Sequence, residues 1–480
     1  TNNNHNNTNN TNATTYTGYI GPYAVFYKYV ATNAATSSNA EISISSKTTR
    51  YSTDSSTASS NGFYRPIEAL VETVAAVRAN AQQPDSTTLT IDGTAGDDAV
   101  VVTTANGKLV SSTVNGQTTK VGSNVEAVYF NGGAGNDSVV YNATGRESAS
   151  LDLKAAKVLV VGEQAFVAAN VESFDANNVG AVDVAAYAAS DRVEAGSGLV
   201  AVSTANGFVF NASGVAELVA KGGGKAVAVM AGSSAADALT ANGSVAILAG
   251  EGFSYQASGF ATVRVDAGEG ADVAKLTAVQ KLDASDSVAI ASVGAQTIVA
   301  VGFEQVEASG LGNGVANVFG TNKNDSVAAN AQTVTTVYST GSTLKLAGFS
   351  DVAIDGRGGN DSATLLVGVG LNTFDGSLNS AKLTNGSFAR ALANFSKVSV
   401  FGNEDENVKS TLVADLHDTA FADAFAAFGN TATMDVEGDN LFTIVAADQV
   451  NVKRDFAKGA DTLDEAAAID FVFSVDNWDD

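Results

Sequence analysis

The sequence predicts an all-β fold, a parallel β-solenoid of about 45-residue repeats, on three observations. A seven-residue pattern recurs at intervals of 43 to 46 residues, starting at positions 124, 170, 214, 259, 302, 348 and 394. Alternating Val, Ala and Thr, broken by Asn-Gly and Ser-Gly, predict about four short strands per repeat and no helix. Small residues at the turns suit narrow stacked coils. The alternative is a β-propeller, whose blades have a similar length.

Composition excludes several classes of protein. The 480 residues carry a net charge of -25, and 45% of them are hydrophobic, so the chain can bury a core. Cysteine is absent, which excludes disulfides and Cys-ligated metals. Basic residues are spread thinly, which argues against nucleic acid, and no apolar run reaches the roughly 20 residues of a membrane span. The chain begins with Thr1, which is consistent with a removed export signal.

The chain has two electrostatic parts, which predict four segments. The first 84 residues hold five basic and four acidic residues, and the rest hold 21 and 47. We predict a polar Asn/Thr arm over 1–14, followed over 15–84 by a Tyr-rich assembly or capping segment of strands plus one helix after Pro66. The solenoid then covers 85–455. Residues 456–480 form a C-terminal cap or docking segment.

The Tyr-rich segment is predicted to mediate self-assembly. Its aromatic side chains can bury area, and its cations can meet carboxylates on the acidic body of a neighbouring subunit in a head-to-tail contact. A heterologous contact of this kind propagates into a fibre unless it closes a ring. The interface residues we predict are Tyr16, Tyr19, Tyr23, Tyr27, Tyr29, Lys28, Lys47, Arg50 and Arg65.

The repeat also predicts a register. With two coils per repeat, about sixteen coils would form a rod roughly 75 Å long. A second element, Asp followed by a small residue and an apolar one, recurs at a variable distance after the pattern, so insertions collect at one turn. We expect one core column to contain Val128, Phe174, Leu218, Val263, Val306, Val352 and Val398.

Several loops carry a recognisable motif. The segments are IDGTAGDDAVVV at 91–102, FNGGAGNDSVVY at 130–141, VDAGEGADVAKL at 265–276 and IDGRGGNDSATL at 354–365, with a degenerate copy at 319–330. They resemble the Gly-Gly-x-Gly-x-Asp repeat of RTX (haemolysin-type) calcium-binding secreted proteins. In arrangement, most of the segment 85–410 resembles long secreted β-solenoid surface proteins of planctomycete-like bacteria.

The RTX resemblance implies a parallel β-roll with calcium between loops of successive turns. The candidate ligands are Asp97, Asp98, Asp137, Asp355 and Asp361. The alternative is that Gly supplies positive φ and Asn or Asp caps the turn without metal. Loops recurring once per two coils would lie about 9.6 Å apart, too far to share one ion.

Catalysis has little support in the sequence, and we predict that the protein is not an enzyme. The two histidines are His5, in the polar arm, and His417, which we interpret as a surface residue. The predicted function is an exported structural protein of a bacterial cell surface that assembles into a filament, stalk fibre or surface layer. Its partners would be copies of itself, with cell-surface glycans a further candidate. The alternatives are a β-helix polysaccharide lyase or hydrolase, and then a calcium-dependent adhesin.

Overall fold

The fold comes from a computed structural model that describes residues 14–16, 29–31, 87–403, 409–419, 422–436, 439–453 and 461–476. Within these ranges the chain is all-β and contains no helix, and therefore none able to cross a membrane. The predicted helix after Pro66 lies outside the described residues. The chain divides into two compact units, residues 1–183 and 184–480.

Unit 1 contains twelve complete strands and the start of a thirteenth that continues into unit 2. They are β1 Thr14–Tyr16, β2 Tyr29–Ala31, β3 Thr88–Asp92, β4 Ala99–Ala105, β5 Lys108–Val114, β6 Gln117–Lys120, β7 Ala127–Asn131, β8 Ser138–Asn142, β9 Ser148–Asp152, β10 Lys157–Val161, β11 Ala165–Ala169, β12 Ser173–Asn177 and β13 Ala181–Ala186.

In unit 2 the strands are mostly five to eight residues long, and three are much longer. They are β14 Arg192–Gly196, β15 Leu199–Ser203, β16 Val209–Ser213, β17 Glu217–Gly222, β18 Val227–Ala231, β19 Ala238–Asn242, β20 Val245–Gly250, β21 Phe253–Ser258, β22 Thr262–Asp266, β23 Val273–Ala284, β24 Val288–Val293, β25 Gln296–Val301, β26 Gln305–Phe319, β27 Ser326–Ala329, β28 Thr333–Val337, β29 Thr343–Asp355, β30 Ser362–Leu366, β31 Gly370–Ser377, β32 Ser380–Asn385, β33 Phe388–Ala393, β34 Lys397–Phe401, β35 Ser410–His417, β36 Asp423–Gly429, β37 Thr431–Val436, β38 Asp439–Val445, β39 Gln449–Lys453, β40 Thr462–Ile469 and β41 Val472–Asp476.

Each unit is a β-solenoid in which strands of successive coils pair in parallel, as the sequence predicted. In unit 1, sheet A has the order β3–β7–β11–β10–β9 and sheet B the order β6–β5–β4–β8–β12. In unit 2, sheet C runs β17–β21–β20–β19–β23–β26–β29–β28–β27–β30–β34–β38–β37–β36–β40. Sheet D runs β16–β15–β14–β18–β22–β25–β24–β23–β26–β29–β33–β32–β31–β35–β39–β41.

One sequence repeat corresponds to five strand segments in unit 2. Strands β19, β20 and β21 form an antiparallel meander in sheet C, and β22 follows in sheet D before the first half of β23 returns to sheet C. The next five segments repeat this order with the sheets exchanged. The meander is formed by the second half of β23 with β24 and β25 in sheet D, and β26 then passes through sheet C into sheet D.

The predicted coil length is wrong. Paired positions of successive coils are about 36 residues apart, as between Ser326 and Ser362, so a repeat spans more than one coil rather than two. The predicted rod of about sixteen coils is therefore also wrong. The meander is the cause, because its two extra strands lengthen the repeat without adding a coil.

The predicted core column is also wrong in register, although its members are buried. In unit 2, Leu218, Val306 and Val398 lie in sheet C, whereas Val263 and Val352 lie in sheet D. In unit 1, Val128 belongs to sheet A and Phe174 to sheet B. Because a repeat exceeds a coil by one strand and its turn, each copy of the pattern falls in the opposite sheet.

The core lies between the two sheets of each unit. Burial alternates along most strands, as in β4 and β19, so one face of each sheet is apolar and enclosed. Aromatic rings cross the gap: the ring centroids of Phe374 in sheet D and Phe442 in sheet C are 5.7 Å apart. In unit 1, Tyr141 and Phe166 are 5.6 Å apart. Hydrophobic burial between the sheets therefore stabilises the coil.

Candidate functional site

The most distinctive local structure is a six-residue corner that ends in a buried Asp, where the chain passes from one sheet to the other. Among the described residues, six of these corners form three complete pairs, and the members of a pair occupy consecutive coils. The pairs are 93–98 with 132–137 in unit 1, and 232–237 with 267–272 and 320–325 with 356–361 in unit 2. We call the earlier member of each pair the hydroxyl corner and the later one the glycine corner.

Hydroxyl corners have Thr or Ser at their second position, and this residue binds the corner Asp. The backbone N–H of Thr94 donates to Oδ2 of Asp98 at 2.6 Å, and its hydroxyl donates to the same carboxylate at 3.1 Å. Asn115 adds a third donor at 2.6 Å. The N–H of Thr94 is the main reason that the pKa of Asp98 lies below its usual value. The other hydroxyl corners match, with donation from Ser233 to Asp237 and from Thr321 to Asp325.

In glycine corners, the carboxylate of the corner Asp accepts fewer hydrogen bonds. Their second position is in the left-handed region, with φ of 94° at Gly133, 100° at Gly268 and 67° at Arg357, and it carries no hydroxyl. Oδ1 of each glycine-corner Asp accepts a hydrogen bond from the backbone N–H of the Asp in the paired hydroxyl corner. The N–H of Asp98 donates to Asp137 at 2.8 Å, and the equivalent distance is 2.7 Å in the other two pairs. Oδ2 accepts no hydrogen bond from any residue that the structure describes, in Asp137, Asp272 and Asp361.

This environment disfavours the ionised form of the glycine-corner carboxyls. Burial raises the pKa of Asp361 to about 6, opposed by the N–H of Asp325 and reinforced by the charges of Asp325 and Asp355. Burial is also the main reason that the pKa values of Asp137 and Asp272 are raised. In the unit 1 pair, the pKa of Asp98 is therefore lowered and that of Asp137 is raised.

The glycines of the motif are explained by close stacking. The fourth position of a glycine corner has φ of 140° at Gly135 and Gly270 and 104° at Gly359. A Cβ on Gly135 would lie 2.6 Å from the carbonyl oxygen of Gly96, the fourth residue of the hydroxyl corner beside it. Only glycine fits, because any side chain would collide with the neighbouring backbone.

A third acidic residue extends two of the pairs into ladders. The N–H of Asp137 donates to Oε2 of Glu172 at 2.6 Å, and the N–H of Asp272 donates to Oε2 of Glu304 at 2.8 Å. Glu172 and Glu304 were not among the site residues predicted from the sequence. The available signal was Glu at the third position of the seven-residue pattern, in NVESFDA and GFEQVEA.

The structure brings the predicted calcium residues together in two groups. Asp97, Asp98 and Asp137 share one corner pair, where Oδ1 of Asp97 accepts the N–H of Asn136 at 2.8 Å. Asp355 lies beside Asp361 at the pair 320–325 with 356–361, and its Oδ1 accepts the N–H of Arg357 at 3.0 Å. Because paired corners sit in consecutive coils, the expected separation of about 9.6 Å is wrong, and the loops are one coil apart.

The donor set as arranged does not fit Ca²⁺. Calcium takes six to eight oxygen ligands, whereas both oxygens of Asp98 and Oδ1 of Asp137 already accept hydrogen bonds from the protein. Across the described residues, no group of three or more acidic or His side chains is placed to hold a metal ion. Binding would require these carboxylates to release their N–H donors. Calcium therefore stays a prediction from the resemblance.

The predicted assembly residues fall mostly outside the described part of the chain. Tyr16 in β1 and Tyr29 in β2 are directly paired in an antiparallel two-stranded sheet. The remaining seven are in segments that the structure does not describe: Tyr19, Tyr23, Tyr27, Lys28, Lys47, Arg50 and Arg65.

His417 belongs to a polar cluster on sheet D. Its Nε2 is 3.6 Å from Oδ2 of Asp375, and Lys453 Nζ is 2.7 Å from Oδ2 of Asp415. Partial burial opposes ionisation of Asp415, but hydrogen bonds from Lys453 and Asn451 outweigh it and hold the pKa of Asp415 below its usual value. The cluster places two carboxylates, an imidazole and an ammonium on adjacent strands.

Comparisons with known proteins add no relative. No protein-family model matches the chain, and no curated protein matches it. The function is therefore inferred from the geometry of the chain itself.

Proposed function

We propose that this is an exported structural protein of a bacterial cell surface that assembles head to tail into a filament, stalk fibre or surface layer. The observation that carries the proposal is that the last coil of unit 2 leaves its apolar interior open. The inward-facing Leu463 of β40 is 39% exposed, whereas Phe425, its partner in β36, is 1% exposed. An open core end of this kind is stabilised when another surface covers it.

The last strand of sheet D supports the same conclusion. Phe473 and Val475 in β41 are half-buried, although their parallel partners Val450 and Val452 are fully buried. The strand contains no Pro, Lys or Arg, the residues that natural edge strands use to prevent pairing with another chain. The edge is therefore suited to intermolecular contact.

Unit 1 has a similar open edge at β3. Leu89 and Ile91 in β3 are half-buried, whereas Val128 and Phe130, their partners in β7, are fully buried. An open edge in each unit, built from different strands, suits a contact between unlike surfaces of two copies, which propagates instead of stopping at a dimer. The nearly neutral Tyr-rich segment and the acidic body add the charge difference that the sequence analysis assigned to assembly.

Electron microscopy and sedimentation of the full chain test this function. We expect particles that lengthen as protein concentration rises, because head-to-tail growth follows mass action. A monomer that persists at all concentrations, with no filament or layer in the microscope, would contradict the proposal.

A carbohydrate-acting enzyme is the second candidate, and the cluster of Asp375, His417, Asp415 and Lys453 favours it. Carboxylates and an imidazole on a solvent-facing sheet are the groups used in general acid and base catalysis on sugars. Turnover of an acidic polysaccharide that is lost in both Asp415→Asn and His417→Ala would support it. A calcium-dependent adhesin, the third candidate, requires glycan binding that a chelator removes.

A further inference from the structure

We propose that the β40–β41 end of one copy binds the β3–β6 end of a second copy by parallel pairing of strand edges, β40 with β3 and β41 with β6. This inference rests on the proposed function and names the surface through which it operates.

The main-chain groups that face away from the described neighbouring strands are identified by the hydrogen bonds already made. The N–H of Val472 donates to the carbonyl of Asp448 at 3.0 Å, so the even-numbered residues of β41 face β39. Because main-chain groups alternate along a strand, those of Phe473 and Val475 point to the open edge. In β3, Gly93 donates to Asn131 at 2.8 Å, which leaves the even-numbered residues facing outward.

Within the described ranges, each of the four edge strands has a single partner. Strand β40 pairs with β36 and β41 with β39, while β3 pairs with β7 and β6 with β5. Interior strands at the equivalent places have partners on both sides. The strands equivalent to β6 are β25 and β33, which pair in parallel with β22 and β29 of the preceding coil.

The strands equivalent to β3 and β40 follow the same rule. Strand β23 pairs in parallel with β19 on one side and β26 on the other, and β30 pairs with β27 and β34. The interior strands equivalent to β3, β6 and β40 therefore have a parallel neighbour at the edge that is open here. A parallel β40–β3 and β41–β6 contact supplies those neighbours in the orientation that the interior uses.

A second copy fits better than an unrelated partner because two edges must be satisfied together. Packed sheets lie about 10 Å apart, so a partner must present two strand edges at that separation. The β3–β6 end has this cross-section because the same repeat builds it. Contact would also cover the inward-facing Leu463, Phe473 and Val475 with Leu89 and Ile91.

Paired charge variants of the full chain provide the test. Val475→Lys puts an ammonium on the inward face of the open end, where a free chain can still extend it into water and an assembled chain buries it. Val472→Lys puts the same charge on the outward face of the same strand. We expect Val475→Lys to weaken self-association by about tenfold or more and Val472→Lys to leave it near wild type.

The β3–β6 end has its own pair of variants, Ile91→Lys on the inward face of β3 and Thr90→Lys on the outward face. Circular dichroism and thermal melting of each variant check that the fold survives. Val475→Lys retains an intact β3–β6 end, and Ile91→Lys retains an intact β40–β41 end. We therefore expect each variant alone to be monomeric and an equal mixture to form dimers.

The outcomes separate this surface from the proposed function. Dimers in the mixture support the contact. If folded Val475→Lys or Ile91→Lys still forms filaments like those of the wild type, the proposed contact is wrong. The structural function would then remain supported, with assembly through another segment. A wild-type chain that never associates overturns both.

Discussion

The backbone N–H of Asp325 donates to Oδ1 of Asp361, one coil further along the chain, at 2.7 Å. The hydrogen bond stacks two buried carboxyls in consecutive coils. It leaves Oδ2 of Asp361 without a donor among the described residues. Stacking of the coils and protonation of this acid are therefore linked, because the N–H holds the carboxyl in place while burial disfavours its charge.

Asp361 predicts a measurable pH dependence. Its pKa of about 6 in the folded chain exceeds the ordinary 3.8, so the native state binds more protons between about pH 4 and 6. This contribution to stability is fully present below about pH 4 and is lost as pH rises through about 6. A shift of about two pKa units corresponds to about 3 kcal/mol, and solvent screening at a corner reduces it to about 1 kcal/mol.

Asp361→Asn should therefore raise the melting temperature at pH 7 and flatten the pH profile between 4 and 6. Thermal melts at pH 4.5, 5.5 and 7 measure both effects. Asp98→Asn is the matched control at a hydroxyl corner. The lowered pKa of Asp98 gives the opposite sign, so this variant should lose stability at pH 7. A variant of Asp361 that is less stable at pH 7 and unchanged at pH 4.5 would contradict the assignment.

Stacking of paired corners predicts an unequal cost for two glycine substitutions. A Cβ at Gly359, which has φ of 104°, would lie 2.5 Å from the carbonyl carbon of Lys323. Gly341 has φ of 93° and no atom within 4 Å of the same position. Gly341→Ala should cost about 1 kcal/mol from backbone strain, and Gly359→Ala about 3 kcal/mol because the coils must also separate. Chemical denaturation measures both, and equal losses would refute the close approach.

Arg390 is a buried cation that the sequence analysis did not identify. It is 1% exposed, and its guanidinium donates to the backbone carbonyls of Asn330, Ala331, Phe349, Ser350 and Ala389. Arg390→Met should cost about 3 kcal/mol, because several carbonyls would lose a charged donor.

Arg264→Met is the control for Arg390, since Arg264 makes an exposed ion pair with Asp266 at 2.5 Å. Pairs of this kind contribute about 0 to 1 kcal/mol. Urea unfolding should therefore separate the two variants clearly. Similar losses from both would mean that the carbonyls around Arg390 find other donors.

The calcium prediction is tested by chelation. A bound ion stabilises the folded chain by mass action, so a chelator should lower the melting temperature of the wild type if calcium is held. Replacing Asp137 and Asp361 together by Ala should then reduce that effect. An identical melting curve with and without chelator would leave the corners with their turn role alone.

Much of the fold could be predicted from the sequence because local rules set it. Positive φ at Gly135 and Gly359 requires glycine, and alternating small apolar residues require strands with one buried face. The coil length was missed because the alternation in β20 and β24 does not distinguish parallel from antiparallel strands. The two-residue glycine turns beside them, such as Gly243–Ser244, were counted as strand breaks and not as hairpins. The partners of Asp137 lie 39 residues before and 35 after it, beyond the range of a turn motif.

Successive repeats place equivalent strands in opposite sheets. Whether the number of repeats is odd or even therefore decides which sheet the following strands join. Deleting one repeat of 43 to 46 residues from unit 2 would move every following strand to the opposite sheet. Outward-facing residues that now lie on one broad side of the solenoid would then lie on the other. Deleting two repeats would restore the original faces. A lineage that lengthens this chain by whole pairs of repeats keeps the pattern of its broad surfaces, whereas growth by a single repeat inverts the pattern of everything downstream.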